Sequence, residues 1–354
     1  MNYRFLIYIS YSYAFPIGEP LEKEILRRGY EVKWFSDKEE TKSLFSKEKQ
    51  VLDNIQEAIA YQPHVVLSIT DSIADFIPGI KVQVFHGFLA NKHSAKKGHF
   101  RIRGFFDLYC TQGPSTTEPF KKLQKKYQHF EVIETGWSKV DPLFPIEKTS
   151  TEKPVILISS TFSPKYSITY VEEVINEIKR LSKTGKWEFK IVLHPKLPKE
   201  KIEVFKAMQN ENLTYYDTTD IIPLFKTADI MFSDTTSAIT EFILQKKPVV
   251  TFKNNKPGAH LINVTEVSEI EGALSKALTR PQPVMEAIQN YIEFTHPYYD
   301  GNSSQRVITS CIEFLNSDRS YLKKKPINLI RKFKVRKELG LNPIPNIMES
   351  VSTY

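Results

Sequence analysis

The stretch Ile230 to Phe252, IMFSDTTSAITEFILQKKPVVTF, holds the fold in miniature. A short apolar run, IMFS, leads into Asp234, Thr235, Thr236 and Ser237, residue types that start helices. The segment Ser237 to Gln245 then reads as a helix, and Pro248 to Phe252 as a second buried strand. Strand, helix and strand in that order predict two parallel strands joined by a crossover helix.

The same alternation extends in both directions. Upstream it predicts strands at Val155 to Ser159 and Phe189 to Leu193, with helices at Tyr170 to Ser182 and Lys199 to Gln209. Nearer the N-terminus, RFLIYIS (Arg4 to Ser10) reads as a strand, Leu21 to Arg28 as a helix ended by Gly29, and Glu31 to Phe35 as the next strand. Val51 to Tyr61 reads as a helix, and His64 to Thr70, Lys81 to Phe85 and Asp107 to Thr111 as strands. Downstream, Val284 to Thr295 and Ser303 to Asn316 read as closing helices. Between the two series lies DPLFPIEKTSTEKP (Asp141 to Pro154), the composition of a linker. The expectation is an α/β chain of two doubly wound parallel-sheet domains, 1–145 and 153–318, with a basic C-terminal tail, 319–354.

Composition agrees with a folded chain: 354 residues, 41% hydrophobic and 12% aromatic, are enough for two cores. Two cysteines, Cys110 and Cys311, cannot build a disulfide framework and favour a reducing compartment. The apolar N-terminus lacks a cleavable-signal layout, and no segment approaches the roughly 20 apolar residues of a spanning helix. A cytoplasmic location is expected. The net charge of +8 sits mostly at the end: Arg319 to Lys337 holds nine Lys or Arg and no Asp or Glu, leaving the body at only +1. This is the charge of a nearly neutral enzyme with a basic appendage, so no nucleic-acid partner is expected. Within the appendage, Ile327, Leu329, Ile330, Phe333 and Val335 alternate with cations, as in a segment lying on anionic lipid. Peripheral attachment through 319–337 to the inner face of the cell membrane is expected; a solvated tail or one packed on the body has the same composition.

In open parallel sheets, ligands bind beyond the carboxyl ends of strands. His86-Gly87 follows the strand KVQVF, where an imidazole can take a proton from a hydroxyl and a glycine lets substrate approach the backbone. His194-Pro195 ends FKIVL, where a ring N–H can stabilise charge on a diphosphate. Asp234 to Ser237 gathers hydroxyls and amides at a helix start, with Glu241 one turn further on, placed to accept from ribose hydroxyls. Asp300, Gly301, Asn302, Ser303 and Ser304 repeat the arrangement. Each of the four also fits a purely structural role, a strand-end histidine or a helix cap. Gly-x-Gly-x-x-Gly, Walker, zinc-spaced Cys/His and Gly-x-Ser-x-Gly patterns are missing, so hydride transfer, ATP hydrolysis and serine hydrolysis are poorly motivated. Neither a cofactor nor a metal is expected.

Taken in order, these motifs resemble the CDP-glycerol glycerophosphotransferase family, which primes and polymerises teichoic-acid-like polymers in bacteria. The family's His-Gly is matched by His86-Gly87, its Gly-x-Pro-Arg-x-Asp by Gly136 to Asp141 (GWSKVD), and its His-Pro by His194-Pro195. Its Asp-Tyr-Ser-Ser is similar to Asp234 to Ser237, followed by Lys247-Pro248-Val249-Val250, and its Asp-Gly-x-Ser-Ser-x-Arg-Val to Asp300 to Val307. Where the family continues His-Gly-Thr-Pro-Leu-Lys, this chain reads His86-Gly87-Phe88-Leu89-Ala90-Asn91-Lys92. The resemblance implies a GT-B architecture of two Rossmann-like domains, the second holding a CDP-linked donor and the first offering the acceptor, with the main motifs in the cleft. It implies catalytic roles for His86 (general base) and His194, and donor binding by Thr236, Ser237, Glu241, Asp300, Ser303, Ser304 and Arg306. Gly87 and Lys92 would lie on the acceptor side. The implied reaction moves glycerol phosphate, or another alditol phosphate, to a hydroxyl of a lipid-linked or cell-surface polysaccharide and releases CMP. A nucleotide-sugar glycosyltransferase, a UDP-GlcNAc 2-epimerase-like enzyme on the same fold, and a non-catalytic polymer-binding protein are the alternative readings.

Overall fold

The computed structural model describes residues 2–88, 100–146 and 152–341. Its contacts divide the chain into two compact units, Met1–Asp141 with Asp300–Tyr354, and Pro142–Tyr299.

The first unit is built on seven strands: β1 (Arg4–Ile9), β2 (Glu31–Ser36), β3 (Val51–Leu52), β4 (Val65–Ser68), β5 (Ile80–Val84), β6 (Leu108–Thr111) and β7 (Glu131–Glu134). Their order is β3-β2-β1-β4-β5-β6-β7 and every pair is parallel, with Phe5 level with Val32 on one side and Val65 on the other. Order reverses at β1, which makes its carboxyl end a crevice. β1, β4, β5 and β6 are buried almost throughout, as strands covered by helices on both faces must be. Their helices are α1 (Phe15–Arg27), α2 (Glu39–Lys42), α3 (Ile55–Ala60) and α4 (Pro114–Tyr127).

The second unit repeats the plan. Strands β8 (Val155–Ser160), β9 (Glu188–Leu193), β10 (Leu213–Tyr215), β11 (Ile230–Ser233), β12 (Val249–Phe252) and β13 (Ile262–Val264) lie in the order β10-β9-β8-β11-β12-β13, again all parallel. Helices α5 (Glu172–Ser182), α6 (Lys199–Ala207), α7 (Ile222–Thr227), α8 (Ala238–Ile243), α9 (Ile270–Leu278) and α10 (Gln282–Thr295) connect and cover them. The Ile230 to Phe252 stretch folds as expected, β11–α8–β12, with Met231 level with Val249.

The structure corrects several expectations. Val51 and Leu52 form an edge strand rather than a helix start; the helix begins only at Ile55, because the Asn54 side chain accepts the Glu57 N–H and caps it there. α1 begins at Phe15, six residues before the expected start, with Pro16 in its first turn, where the missing N–H costs nothing. It packs closely because Gly18 lies against Trp34: a Cβ there would fall 2.3 Å from the indole Cη2.

Most consequential, α11 (Ser303–Asn316) and the C-terminal α12 (Leu329–Glu338) join the first unit, so neither a 153–318 domain nor a separate 319–354 tail describes the contacts. α11 packs on α1 and β6. In α12, Val335 is buried in the first core, beside Phe35, Phe105 and Phe106. Lys325 pairs with Asp107 at 2.6 Å and Lys332 with Asp75 at 2.8 Å, while the Arg336 guanidinium lies 4.9 Å over the Phe76 ring. These contacts hold the basic segment on the body as far as Leu341.

Candidate functional site

In the second unit, polar groups gather where β8, β9 and β11 end. Asp234 is fully buried just after β11 and accepts N–H bonds from Thr161 and Ile168, each 3.0 Å, and the Ser160 hydroxyl. Burial pushes its carboxyl up from the ordinary range, against those hydrogen bonds, which pull it down. Asp234 is thereby a brace: it fixes the loop after β8, a hydroxyl-rich turn of Ser160, Thr161, Ser167 and Thr169 that sequence reading missed because its residues are spaced as ordinary loop polar groups. Asn254 donates to the Asp234 carbonyl at 2.6 Å, and the Asn255 N–H to Thr235 Oγ1 at 3.1 Å, so the loop after β12 ties down the same turn.

Thr235, Thr236 and Ser237 remain half-buried at the start of α8, and the Ser237 side chain does not cap the helix. Glu241 is buried one turn on. Next to it, Thr240 and the Tyr291 hydroxyl are 2.9 Å apart, and Tyr291 stacks on His260 with ring centroids 4.0 Å apart. Lys247, from the Lys-Pro match, is structural: its ammonium donates to the Phe225 and Lys226 carbonyls at the end of α7.

His194 follows β9. Its Nδ1 accepts the Lys196 N–H at 3.1 Å, so the neutral ring carries its proton on Nε2. The ring packs 4.6 Å from Phe162. A strand-end imidazole held as an Nε2–H donor is chemically suited to meet an anionic oxygen.

In the first unit, His86 follows β5 half-buried, beside Tyr13 at 5.8 Å between ring centroids. Its turn is held by neighbours: Trp137 Nε1 donates to the Phe85 carbonyl at 2.5 Å, and Gln112 Nε2 to the Gly87 carbonyl at 2.8 Å. Among the described residues, a Cβ at Gly87 would meet no atom within 4 Å. Lys92 lies outside the described residues.

The GWSKVD match works as scaffold. Gly136 has φ +80°, in the left-handed region that favours glycine. Trp137 holds the His86 turn, Ser138 donates to the Ile17 carbonyl at 2.7 Å, and Asp141 receives α11. The Asp141 carboxylate accepts the Ser303 N–H at 2.8 Å, the Ser304 N–H at 2.7 Å and the Ser304 hydroxyl at 2.6 Å. The amides expected to cradle a donor phosphate are therefore satisfied by a carboxylate of the chain itself. Asp300 and Arg306 pair bidentately at 2.8 and 3.1 Å, and Arg306 Nε donates to the Thr135 carbonyl at 2.8 Å. This guanidinium holds the Asp300 carboxyl down at about 2. Asp300, Ser303, Ser304 and Arg306, expected with the donor domain, thus belong to the first unit, because α11 is bonded at its first turn to Asp141 and Thr135.

Among the described residues, no three His, Cys, Asp or Glu side chains gather as a metal site needs, and no helix is long and apolar enough to cross a membrane.

No protein-family model and no curated protein matches the chain. Solved structures do. A provisionally assigned UDP-N-acetylglucosamine 2-epimerase from Listeria monocytogenes aligns with TM-score 0.65 at 14% identity, over 90% of this chain and 98% of that one. The wall teichoic acid polymerase TagF aligns with TM-score 0.60 at 13% identity, over 88% of each chain. UDP-GlcNAc 2-epimerase from Neisseria meningitidis, bound to UDP-GlcNAc, aligns with TM-score 0.58 at 15% identity, over 87% and 99%. The chain has a GT-B-type fold of two Rossmann-like units. The rest of the chemistry has to come from its own residues.

Proposed function

We propose that the chain is a transferase that moves glycerol phosphate, or another alditol phosphate, from a CDP-linked donor to a hydroxyl of a lipid-linked or cell-surface saccharide, releasing CMP. The observation that carries this reading is the pair of strand-end histidines, one per Rossmann-like unit, with His194 set as an Nε2–H donor by the Lys196 amide. In the reaction, His86 takes the proton of the acceptor hydroxyl, whose oxygen bonds to the β-phosphorus. The bond from that phosphorus to the bridging oxygen breaks, and CMP leaves with the electron pair. The His194 N–H and the Thr236 and Ser237 hydroxyls stabilise the charge that grows on the diphosphate, and Glu241 meets the ribose. Asp300, Ser303, Ser304 and Arg306 support the reaction as scaffold rather than as donor ligands, since their groups are bound to Asp141, Thr135 and one another. Of the similar structures, two are of a TagF variant soaked with CDPG, which supports a CDP-linked donor.

A second reading, a nucleotide-sugar enzyme of the 2-epimerase kind, is favoured by the higher TM-score of the Listeria structure. Release of CMP or UDP from CDP-glycerol, CDP-ribitol, UDP-GlcNAc and CMP-sugars separates the two. Turnover of a CDP-alditol, reduced about 10²–10⁴-fold by His86→Ala and by His194→Ala, is expected. Consumption of UDP-GlcNAc alone would replace the first reading by the second.

The same reading includes peripheral attachment to anionic lipid through 319–337. On the docked α12, Leu329, Ile330 and Phe333 are 67%, 76% and 45% exposed, beside exposed Lys334 and Lys337. An apolar row flanked by cations is the surface that an anionic interface accepts.

A further inference from the structure

At the carboxyl edge of the first sheet lies a cavity of about 390 Å³. The end of β1 and the segments that follow β1, β2, β4 and β5 supply most of its lining, Arg103 ahead of β6 adds one side chain, and the C-terminal end of α12 adds Val335, Glu338 and the following Leu339. The C-terminal helix is thus a wall of the cavity that also contains His86. At the same cavity, Tyr11 and Tyr13 are stacked, centroids 5.6 Å apart and 26° between planes, yet 46% and 44% exposed. Aromatic faces left in water at a concave site are available for an apolar ligand face.

The polar groups set the rest of the chemistry. Asp37 accepts the Tyr8 hydroxyl at 3.1 Å with one oxygen and has the Ser10 hydroxyl as a neighbour, while its other oxygen, Oδ1, is buried with no hydrogen-bond partner within 3.5 Å among the described residues. A buried acceptor in a cavity wall is a place where a ligand hydroxyl can donate in place of water. Arg103 is neutralised by Asp71 at 3.2 Å. With Asp37, Asp71 and Glu338 against Lys38 and Arg103, the lining carries no cationic excess, which disfavours a phosphate and favours a neutral group with hydroxyls on its edge and C–H bonds on its face.

We propose that this cavity binds a neutral polyhydroxylated group, a saccharide ring or alditol chain, stacked on Tyr11 and Tyr13 and hydrogen-bonded by Asp37, with Glu338 making the C-terminal helix part of the site. That the group is the acceptor rests on the transferase reading; that the cavity takes such a group does not. Because α12 turns Glu338 to the cavity and Ile330 and Phe333 to solvent, one helix serves the acceptor's hydroxyls and the lipid surface that carries it.

Saturation-transfer NMR on the full chain, with ribitol and methyl N-acetyl-β-glucosaminide as probes and CDP-glycerol titrated separately, tests this. Saturable transfer to at least one probe is expected, weakened about tenfold by Asp37→Asn and by the structurally mild Glu338→Gln, as for the loss of one charge-assisted hydrogen bond. CDP-glycerol binding stays unchanged in both variants. No saturable signal from either probe, or equal signals in wild type and both variants, overturns the site. If CDP-glycerol binds while the probes do not, the site fails and the transferase reading stands. If the probes bind with these variant effects and no nucleotide-linked donor binds, the site stands and the transferase reading falls.

Discussion

At the scale of single residues, three carboxylates mark different uses of the same group. Asp300 is held low, at about 2, by Arg306. Its contribution to stability is present above the unfolded value and is lost as pH falls from about 4 toward 2. Asp300→Asn should therefore cost about 1 kcal/mol near neutral pH, after allowing for solvent screening of a half-exposed pair, and clearly less at pH 2, where about half of the carboxylate is protonated. Urea unfolding at both pH values checks this. Asp234 and Asp141 are shifted the other way by burial. Their raised folded values mean that their ionisation contributes against stability as pH rises past the ordinary carboxylate value through the folded one. Cys110 and Cys311 are both fully buried, and burial, then the neighbouring Cys110 thiol, pushes the Cys311 thiol far up. Neither should react with a thiol reagent in the native protein; titration should count both only in denaturant. The motif residues were legible in sequence as residues, since a histidine after an apolar run is visible to the eye. Their roles were not: Asp234 and Asp141 stand in the motifs as residues without an assigned role and prove to be buried acceptors of the chain's own amides.

At the scale of elements, the turns that present the histidines depend on a few long-range bonds. Trp137→Phe removes the N–H to the Phe85 carbonyl from a buried site and should destabilise by about 1–3 kcal/mol. It should also lower turnover with little change in donor affinity, because it loosens the His86 turn alone; kinetics with separate nucleotide titration check the split. Asp141→Ala strands the first amides of α11, which are buried, and should cost about 3 kcal/mol or more in urea unfolding. The βα alternation was readable because parallel strands buried on both faces are uninterrupted apolar runs, as in VILISS of β8. The short edge strands β3, β10 and β13 were not, since two or three residues carry no period.

At the scale of the whole molecule, the excess positive charge sits on a segment, 319–337, whose helix is built into the first unit. Deleting residues 319–354 should therefore lower the melting temperature and expose the core around Phe35 and Phe105, which Val335 covers. Vesicle binding is better tested with Ile330→Ser and Phe333→Ser together, which leave the docked face intact. Flotation with phosphatidylglycerol vesicles should show the intact chain bound at low salt and released as ionic strength passes about 0.1 M, where the Debye length falls to about 10 Å. The double variant should stay unbound throughout.

By itself, the sequence determined two parallel-sheet units, the strand ends that carry polar residues and the basic C-terminal stretch, because burial period, helix-starting residues and charge are local properties of the chain. Only the tertiary structure decided that α11 and α12 return to the first unit. That choice is made by contacts between residues more than a hundred positions apart: Asp141 with Ser303 and Ser304, Asp107 with Lys325, and Val335 with the Phe35 core. No local pattern encodes which distant carboxylate will meet which helix start, so the same Asp300 to Ser304 turn read as a ligand site until its amides were seen to be occupied.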